Sequence, residues 1–131
     1  MQEDSQVSPG YLRIYCMFQF IKRLFGYDDS HEPLSLVPRS GRWRSVRAAH
    51  LEKQPVCQVC GGDKMLNVHH IIPFHLDMSK ECEPENLITL CEGSHHINCH
   101  LLFGHLGDWH CTNTDVVHDA ETWREKLSNR K

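Results

Sequence analysis

Val68 to His100 reads VHHIIPFHLDMSKECEPENLITLCEGSHHINCH, and the order of its residues decides the fold. A tandem pair, His69-His70, follows Val68 and leads into Ile71-Ile72-Pro73. Asn86 stands before an apolar run, Leu87-Ile88-Thr89-Leu90, that ends in Cys91. Cys99-His100 closes the stretch and opens a second apolar run, Leu101-Leu102-Phe103. Just upstream, Cys57-Gln58-Val59-Cys60-Gly61-Gly62 has the form of a metal-binding knuckle, with glycines that permit its tight turn.

Thiolates at the Cys57/Cys60 spacing can hold one tetrahedral zinc if two more ligands arrive from elsewhere. Cys91 is one. A second pair of the common kind would put cysteine at position 94, where Ser94 stands. Either Glu92 to Asn98 is a longer loop and Cys99 is the fourth ligand, or His95 or His96 closes the site. The first reading is preferred, because it restores a Cys-His dipeptide at the start of an apolar run. Such a site supplies on the order of 10 kcal/mol of folding free energy, more than a small core has as surplus. Cys16, Cys82 and Cys111 have no partner in this pattern and read as buried or free thiols.

Composition sets the bounds. At 131 residues the chain is one domain with room for an appendage. An odd cysteine count, seven, argues against a complete disulfide framework and for metal binding in a reducing compartment. The N-terminal residues are acidic rather than signal-like. The apolar run Tyr11 to Phe25 is broken by Arg13, Lys22 and Arg23 and is too short to span a bilayer. A cytoplasmic protein that does not enter a membrane is expected. The formal net charge of -3 does not announce a nucleic-acid protein, so a DNA binder of this balance must gather its positive charge on one face.

That gathering lies upstream. Arg39 to Arg47 reads RSGRWRSVR, with Arg39, Arg42, Arg44 and Arg47 around Trp43. Trp43, Val46 and His50 recur at helical spacing, which predicts a helix over Ser40 to Lys53, stopped near Pro55. The arginines are candidate phosphate contacts, since a guanidinium pairs bidentately with phosphate oxygens. Residues 1–38 read as an N-terminal extension, with an apolar helix over Tyr11 to Phe25 and a linker. Residues 39–131 read as the domain proper. Near the C-terminus Asp115 can cap a helix from Val116 to Leu127, with Val117, Ala120, Trp123 and Leu127 as its core stripe.

The CxxC knuckle, His69-His70, Asn86 and Cys99-His100, in that order, resemble the HNH endonucleases over about Arg39 to Trp123. The resemblance implies an α+β fold: a small, zinc-stabilised ββα-metal core (treble-clef-like, His-Me finger) with flanking helices. It makes His69 and His100 ligands of a catalytic divalent metal, Mg2+, Mn2+ or Ni2+, and His70 the general base. Asn86 either braces the loop that carries His70 or ligates the metal. Imidazole ligands favour Mn2+ or Ni2+ over Mg2+, which prefers oxygen. The implied products are a 5′-phosphate and a 3′-hydroxyl. The chain after His100 is similar to phage-type HNH proteins encoded near DNA-packaging genes, which suggests a terminase large subunit as partner beside DNA itself.

In the colicin-like branch a further histidine follows four residues after the last one, and here that position is Gly104. His105 comes five residues on, roughly 140° around an α-helix, and so faces elsewhere unless the helix breaks at Gly104. His105 and His75 are held as outer contacts to the site or to phosphate. His95, His96, His110 and His118 read as surface or packing residues. One HNH site cuts one strand, so a double cut needs a second engagement or a homodimer. The main rival is a non-catalytic, zinc-stabilised DNA-binding module, which would use the same cysteines and arginines but has no need of His70, Asn86 and His100 together. A second is a scaffold protein docking a partner through Tyr11 to Phe25.

Overall fold

The computed structural model describes residues 38–130. The helix expected over Tyr11 to Phe25 lies outside the described residues. Two short strands form the centre. β1 (Leu66–His70) and β2 (Leu87–Cys91) pair antiparallel, with Leu66 opposite Cys91 and His70 opposite Leu87. Every residue of β2 is buried. A strand covered on both faces needs no polar alternation, and Leu-Ile-Thr-Leu-Cys has little.

The connection between the strands, residues 71–86, is a closed loop rather than a hairpin turn. The Ile71 N–H donates to the Asn86 carbonyl at 2.9 Å, so the loop ends where it begins. Two 3₁₀ turns, Met78–Lys80 and Pro84–Asn86, shape its far side.

Helix α1 (Trp43–Lys53) lies against both strands. It starts three residues later than the pattern suggests, and the Ser40 N–H ahead of it donates to the Glu81 carboxylate at 2.9 Å. Its far end is pinned to β2 by the Thr89 N–H, which donates to the Gln54 side-chain oxygen at 3.1 Å.

After β2 the chain makes a π-helical turn, His100–Gly104, and then α2, Val116–Ser128. The expected stripe on α2 is displaced. Val116 and Ala120 are buried, whereas Val117, Trp123 and Leu127 are each 40% exposed. Val116 and Ala120 are one helical turn apart, and this single row is all that a short helix on the outside of a small core can bury. Trp123 leans on Phe103 at a ring separation of 6.0 Å. Asp115 stands at the start of α2, but its side chain makes no capping hydrogen bond. Buried Asn113 organises the turn instead: its oxygen accepts from the Asp115 N–H at 3.0 Å, and its amide donates to the Phe103 carbonyl and to Asp119, both at 2.8 Å.

The core consists of Cys57, Val59, Ile88, Leu90, Cys91, Cys99, Val116 and Ala120. Three of these eight are cysteines, so the centre of the domain coincides with its sulfur cluster. Among the described residues no helix is long and apolar enough to cross a membrane.

Candidate metal centres and the histidine cleft

The ligand atoms of Cys57, Cys60, Cys91 and Cys99 all lie within 4.8 Å of one another. The Cys60 and Cys91 sulfurs are 3.6 Å apart. A tetrahedron with about 2.3 Å from centre to sulfur has an edge of roughly 3.8 Å, so this spacing suits one zinc-sized ion. The knuckle is closed by the Cys57 N–H to the Gly62 carbonyl at 2.8 Å and the Gly61 N–H to the Cys57 carbonyl at 2.9 Å. Gly61 has φ +73°, a left-handed conformation that glycine adopts without strain.

Four sulfurs this close interact strongly. A hydrogen bond with Cys99 pulls the Cys57 thiol down to about 4, and the same bond, with burial, pushes the Cys99 thiol up. Four thiolates packed together repel one another, and a dication relieves that repulsion.

Ser94 occupies the place of the missing cysteine. Its hydroxyl donates to the Lys64 carbonyl and accepts from the Lys64 N–H at 2.9 Å, tying the Cys91–Cys99 loop to the knuckle. Gly62 makes this approach possible, since a Cβ there would sit 2.2 Å from the Ser94 Cβ. His95 and His96 are not in the sulfur cluster.

A second cluster sits one residue further along the chain. Ligand atoms of His69, His100 and His105 lie within 4.8 Å of one another. His105 is the residue that sequence spacing held only as an outer contact. On an α-helix it would point away from His100, but the π-helical turn over His100–Gly104 winds more slowly and returns a residue five positions on to the same side. Gly104 leaves the space that the His69 ring occupies: a Cβ there would meet that ring at 2.9 to 3.2 Å. The signal that could have found His105 is this Gly-His pair, where histidine has moved one place and glycine has vacated the first.

Two of the three rings are held by their other nitrogens. His100 Nδ1 is 3.0 Å from the Glu92 carboxylate, and His105 Nδ1 is 2.7 Å from the Cys111 carbonyl. Both contacts leave Nε2 for a ligand, the arrangement common around metal-bound imidazole. His100 Nε2 lies 3.1 Å from His69 Nδ1. The His69 pKa is pushed down to about 3, first by burial and then by the neighbouring His100 and His105, so the ring is neutral at pH 7. Three imidazole nitrogens gathered within 4.8 Å of one another, with no anion in the set, form a donor group for a divalent cation.

His70 points elsewhere. Its ring stacks on Trp43 with centroids 4.5 Å apart, and its Nε2 lies 2.9 Å from the Glu81 carbonyl. A carbonyl can only accept, so Nε2 carries the proton and Nδ1 the lone pair. Burial lowers the His70 pKa. The two adjacent rings still feel each other, since His70 also contributes to the depression of His69.

Asn86 uses both ends of its amide on the loop. Its oxygen accepts from the Ile72 N–H at 2.8 Å, and its nitrogen donates to the Ile72 and Lys80 carbonyls, each at 3.0 Å. Of the two roles open from sequence, this geometry is that of a brace.

The arginines divide. Arg42 and Arg44 are exposed on α1. Arg47 reaches inward to the Leu66 carbonyl at 3.5 Å. Arg39 lies over Trp43 and Phe74, at 5.3 and 5.7 Å from their ring centres, and 3.6 Å from buried Glu81. With half its side chain still open, Arg39 is a cation fixed beside His70 rather than a loose surface charge.

Residues 57–102 match the family model described as HNH endonuclease. Over this segment the chain is similar to the HNH endonucleases. The comparisons with curated proteins and with solved structures give no match. The HNH segment contains the four cysteines, His69, His70, Asn86 and His100, and ends before His105.

Proposed function

We propose that this HNH domain is a metal-dependent DNA endonuclease. The observation that carries the reading is the convergence of His69, His100 and His105 on one point at the end of β1, next in the chain to a histidine of fixed tautomer. The two strands and the π-helical turn would correspond to the ββα-metal core of the family, with a structural zinc on Cys57, Cys60, Cys91 and Cys99.

In this reading His69, His100 and His105 hold a divalent ion, with Glu92 and the Cys111 carbonyl orienting two of them. When bound, the ion stabilises the charge that builds on phosphate and on the departing 3′ oxygen. His70 accepts a proton from the attacking water at Nδ1, since Nε2 is committed to Glu81. Trp43 and the Glu81 carbonyl hold the ring in place, and Asn86 holds the loop that supplies that carbonyl. Arg39 faces the same region and can take a phosphate oxygen, while Arg42 and Arg44 contact the backbone further along. Three nitrogen ligands favour Mn2+ or Ni2+ at least as much as Mg2+.

The test is relaxation of supercoiled plasmid by zinc-loaded protein with added Mn2+, Ni2+ or Mg2+. Wild type should cleave, and His70→Ala should bind DNA and not cleave. Undiminished cleavage by His70→Ala removes the assigned base. Binding without cleavage by wild type in every metal makes the domain a zinc-stabilised DNA-binding module.

A further inference from the structure

Beside the three histidines lies a tryptophan that the reaction scheme does not use. The Trp109 ring is 5.2 Å from the His100 ring and 5.0 Å from the His105 ring, yet half of the residue is open to solvent. It belongs to no helix or strand, but its loop is firmly built. The Gly107 N–H donates to the Leu101 carbonyl at 2.9 Å, the Asp108 N–H to the His105 carbonyl at 3.0 Å, and the Cys111 N–H to the Asp108 carbonyl at 2.8 Å. Leu106 and Gly107 take φ values of +54° and +83°, the sharp reversal that turns the chain back over the site. The same loop returns Cys111 to His105, so the segment that presents Trp109 also orients a proposed ligand.

Half-exposing an indole at a fixed position leaves a large planar apolar surface in water. Single exposed aromatic residues are ordinary on surfaces, but this one borders the point where a phosphate would be held. The planar group covalently tied to that phosphate is a nucleobase. Inside a duplex the bases stack on one another and present only their edges to the grooves. An indole at the phosphate can therefore stack only on a base that has left the stack. We propose that Trp109 is a stacking platform for an unpaired nucleobase next to the scissile phosphate. The preferred substrate is then DNA with a single-stranded, frayed or flipped nucleotide at the cut. This rests on the nuclease reading of the histidine cluster and adds the substrate class to it.

The experiment uses the full chain, zinc-loaded, with Mn2+. Cleavage of a single-stranded oligonucleotide is compared with cleavage of the same sequence in a duplex, for wild type, Trp109→Ala and Trp109→Phe. Trp109→Ala should raise KM for the single strand about tenfold, the order expected for losing one base–aromatic stack. Mn2+ affinity, measured by isothermal titration, should stay unchanged, and Trp109→Phe should restore most of the loss. An abasic nucleotide beside the cut should erase the difference between wild type and Trp109→Ala. Loss of Mn2+ affinity in step with activity overturns the proposal, because the ring then only walls the metal site. An equal KM effect on intact and abasic strands overturns it as well. The nuclease reading is checked separately by tryptophan fluorescence. An oligonucleotide-dependent quench that Trp109→Phe removes, in a protein that never cleaves, would uphold the stacking platform and sink the nuclease.

Discussion

Cys99 and His100 are neighbours in sequence and belong to different chemistries. Cys99 has no exposure and closes a cluster of four soft ligands at the centre of the core. The His100 side chain is 16% exposed and joins a cluster of three nitrogens at the edge of the sheet, under a half-open tryptophan. Four thiolates complete a tetrahedron and leave no place for substrate, whereas three imidazoles leave coordination positions free. The same turn of chain thus places one residue in the core and the next in a cluster at its edge. The sulfur cluster is where stability should reside, and the histidine cluster is where activity should.

The largest test of that division is a pair of substitutions one residue apart. Cys99→Ser should abolish zinc binding and unfold the domain, a loss on the order of 10 kcal/mol for a structural site. Circular dichroism and zinc content read it directly. His100→Ala should keep both and reduce cleavage to the level of buffer. A folded, zinc-free Cys99→Ser protein would break the comparison, as would an unfolded His100→Ala protein.

A sharper cut is Gly104→Ala. The added methyl meets the His69 ring at 2.9 Å, so the ring must move while the sulfur cluster is untouched. Affinity for the second ion should fall about 10- to 100-fold, the usual range when a ligand's surroundings are disturbed. Zinc content should not change. Equal affinity in Gly104→Ala and wild type would mean that the His69 ring does not belong to the site.

Asn86→Ala acts more weakly and on both regions. It strips partners from the Ile72 N–H, the Ile72 carbonyl and the Lys80 carbonyl. A loss of about 2–3 kcal/mol is expected for buried groups left unsatisfied, read as a lower melting temperature, with a reduced cleavage rate because the Glu81 carbonyl shifts under His70. A melting temperature equal to wild type would remove the brace.

The smallest effect concerns His50, buried on α1 and a member of neither cluster. Burial lowers its pKa below the ordinary 6.5, opposed in part by its hydrogen bond with Gln54. The folded state therefore binds this proton less readily than the unfolded one. Its contribution to stability is present above pH 6.5 and is lost as pH falls through 6.5 toward the lowered value. His50→Gln should flatten the acid side of the stability profile relative to wild type, and denaturant titrations at pH 7 and pH 5.5 measure the difference. An unchanged slope would assign the acid sensitivity to other groups, buried His70 among them.

Much of this was legible in the sequence because it depends on residue type and order. The four-cysteine cluster follows from the Cys57/Cys60 knuckle, an apolar strand ending in cysteine, and a Cys-His pair. The amide before a buried strand marked Asn86 as a residue of interest with two roles open, and its hydrogen bonds to Ile72 and Lys80 have the geometry of a brace. What was not legible depends on backbone that departs from regular winding. His105 was held only as an outer contact because the expected helix after Cys99 was an α-helix, and a π-helical turn has no propensity signature in Leu-Leu-Phe-Gly. The arginine cluster looked uniform, yet burial of Glu81 recruits Arg39 and the β1 edge recruits Arg47. Periodicity found α2 and its buried Ala120 but chose Val117 in place of Val116 and extended the row to Trp123 and Leu127, since a pattern alone does not say how far a helix sits from its core.

Cobalt(II) titration of metal-stripped protein, followed by visible absorption, tests the two-centre account most directly. The account predicts two phases: first the intense bands of a tetrathiolate site, then a weaker nitrogen-ligated spectrum. His105→Ala should abolish the second and leave the first intact. A single phase in wild type, or a second phase that survives His105→Ala unchanged, would contradict it.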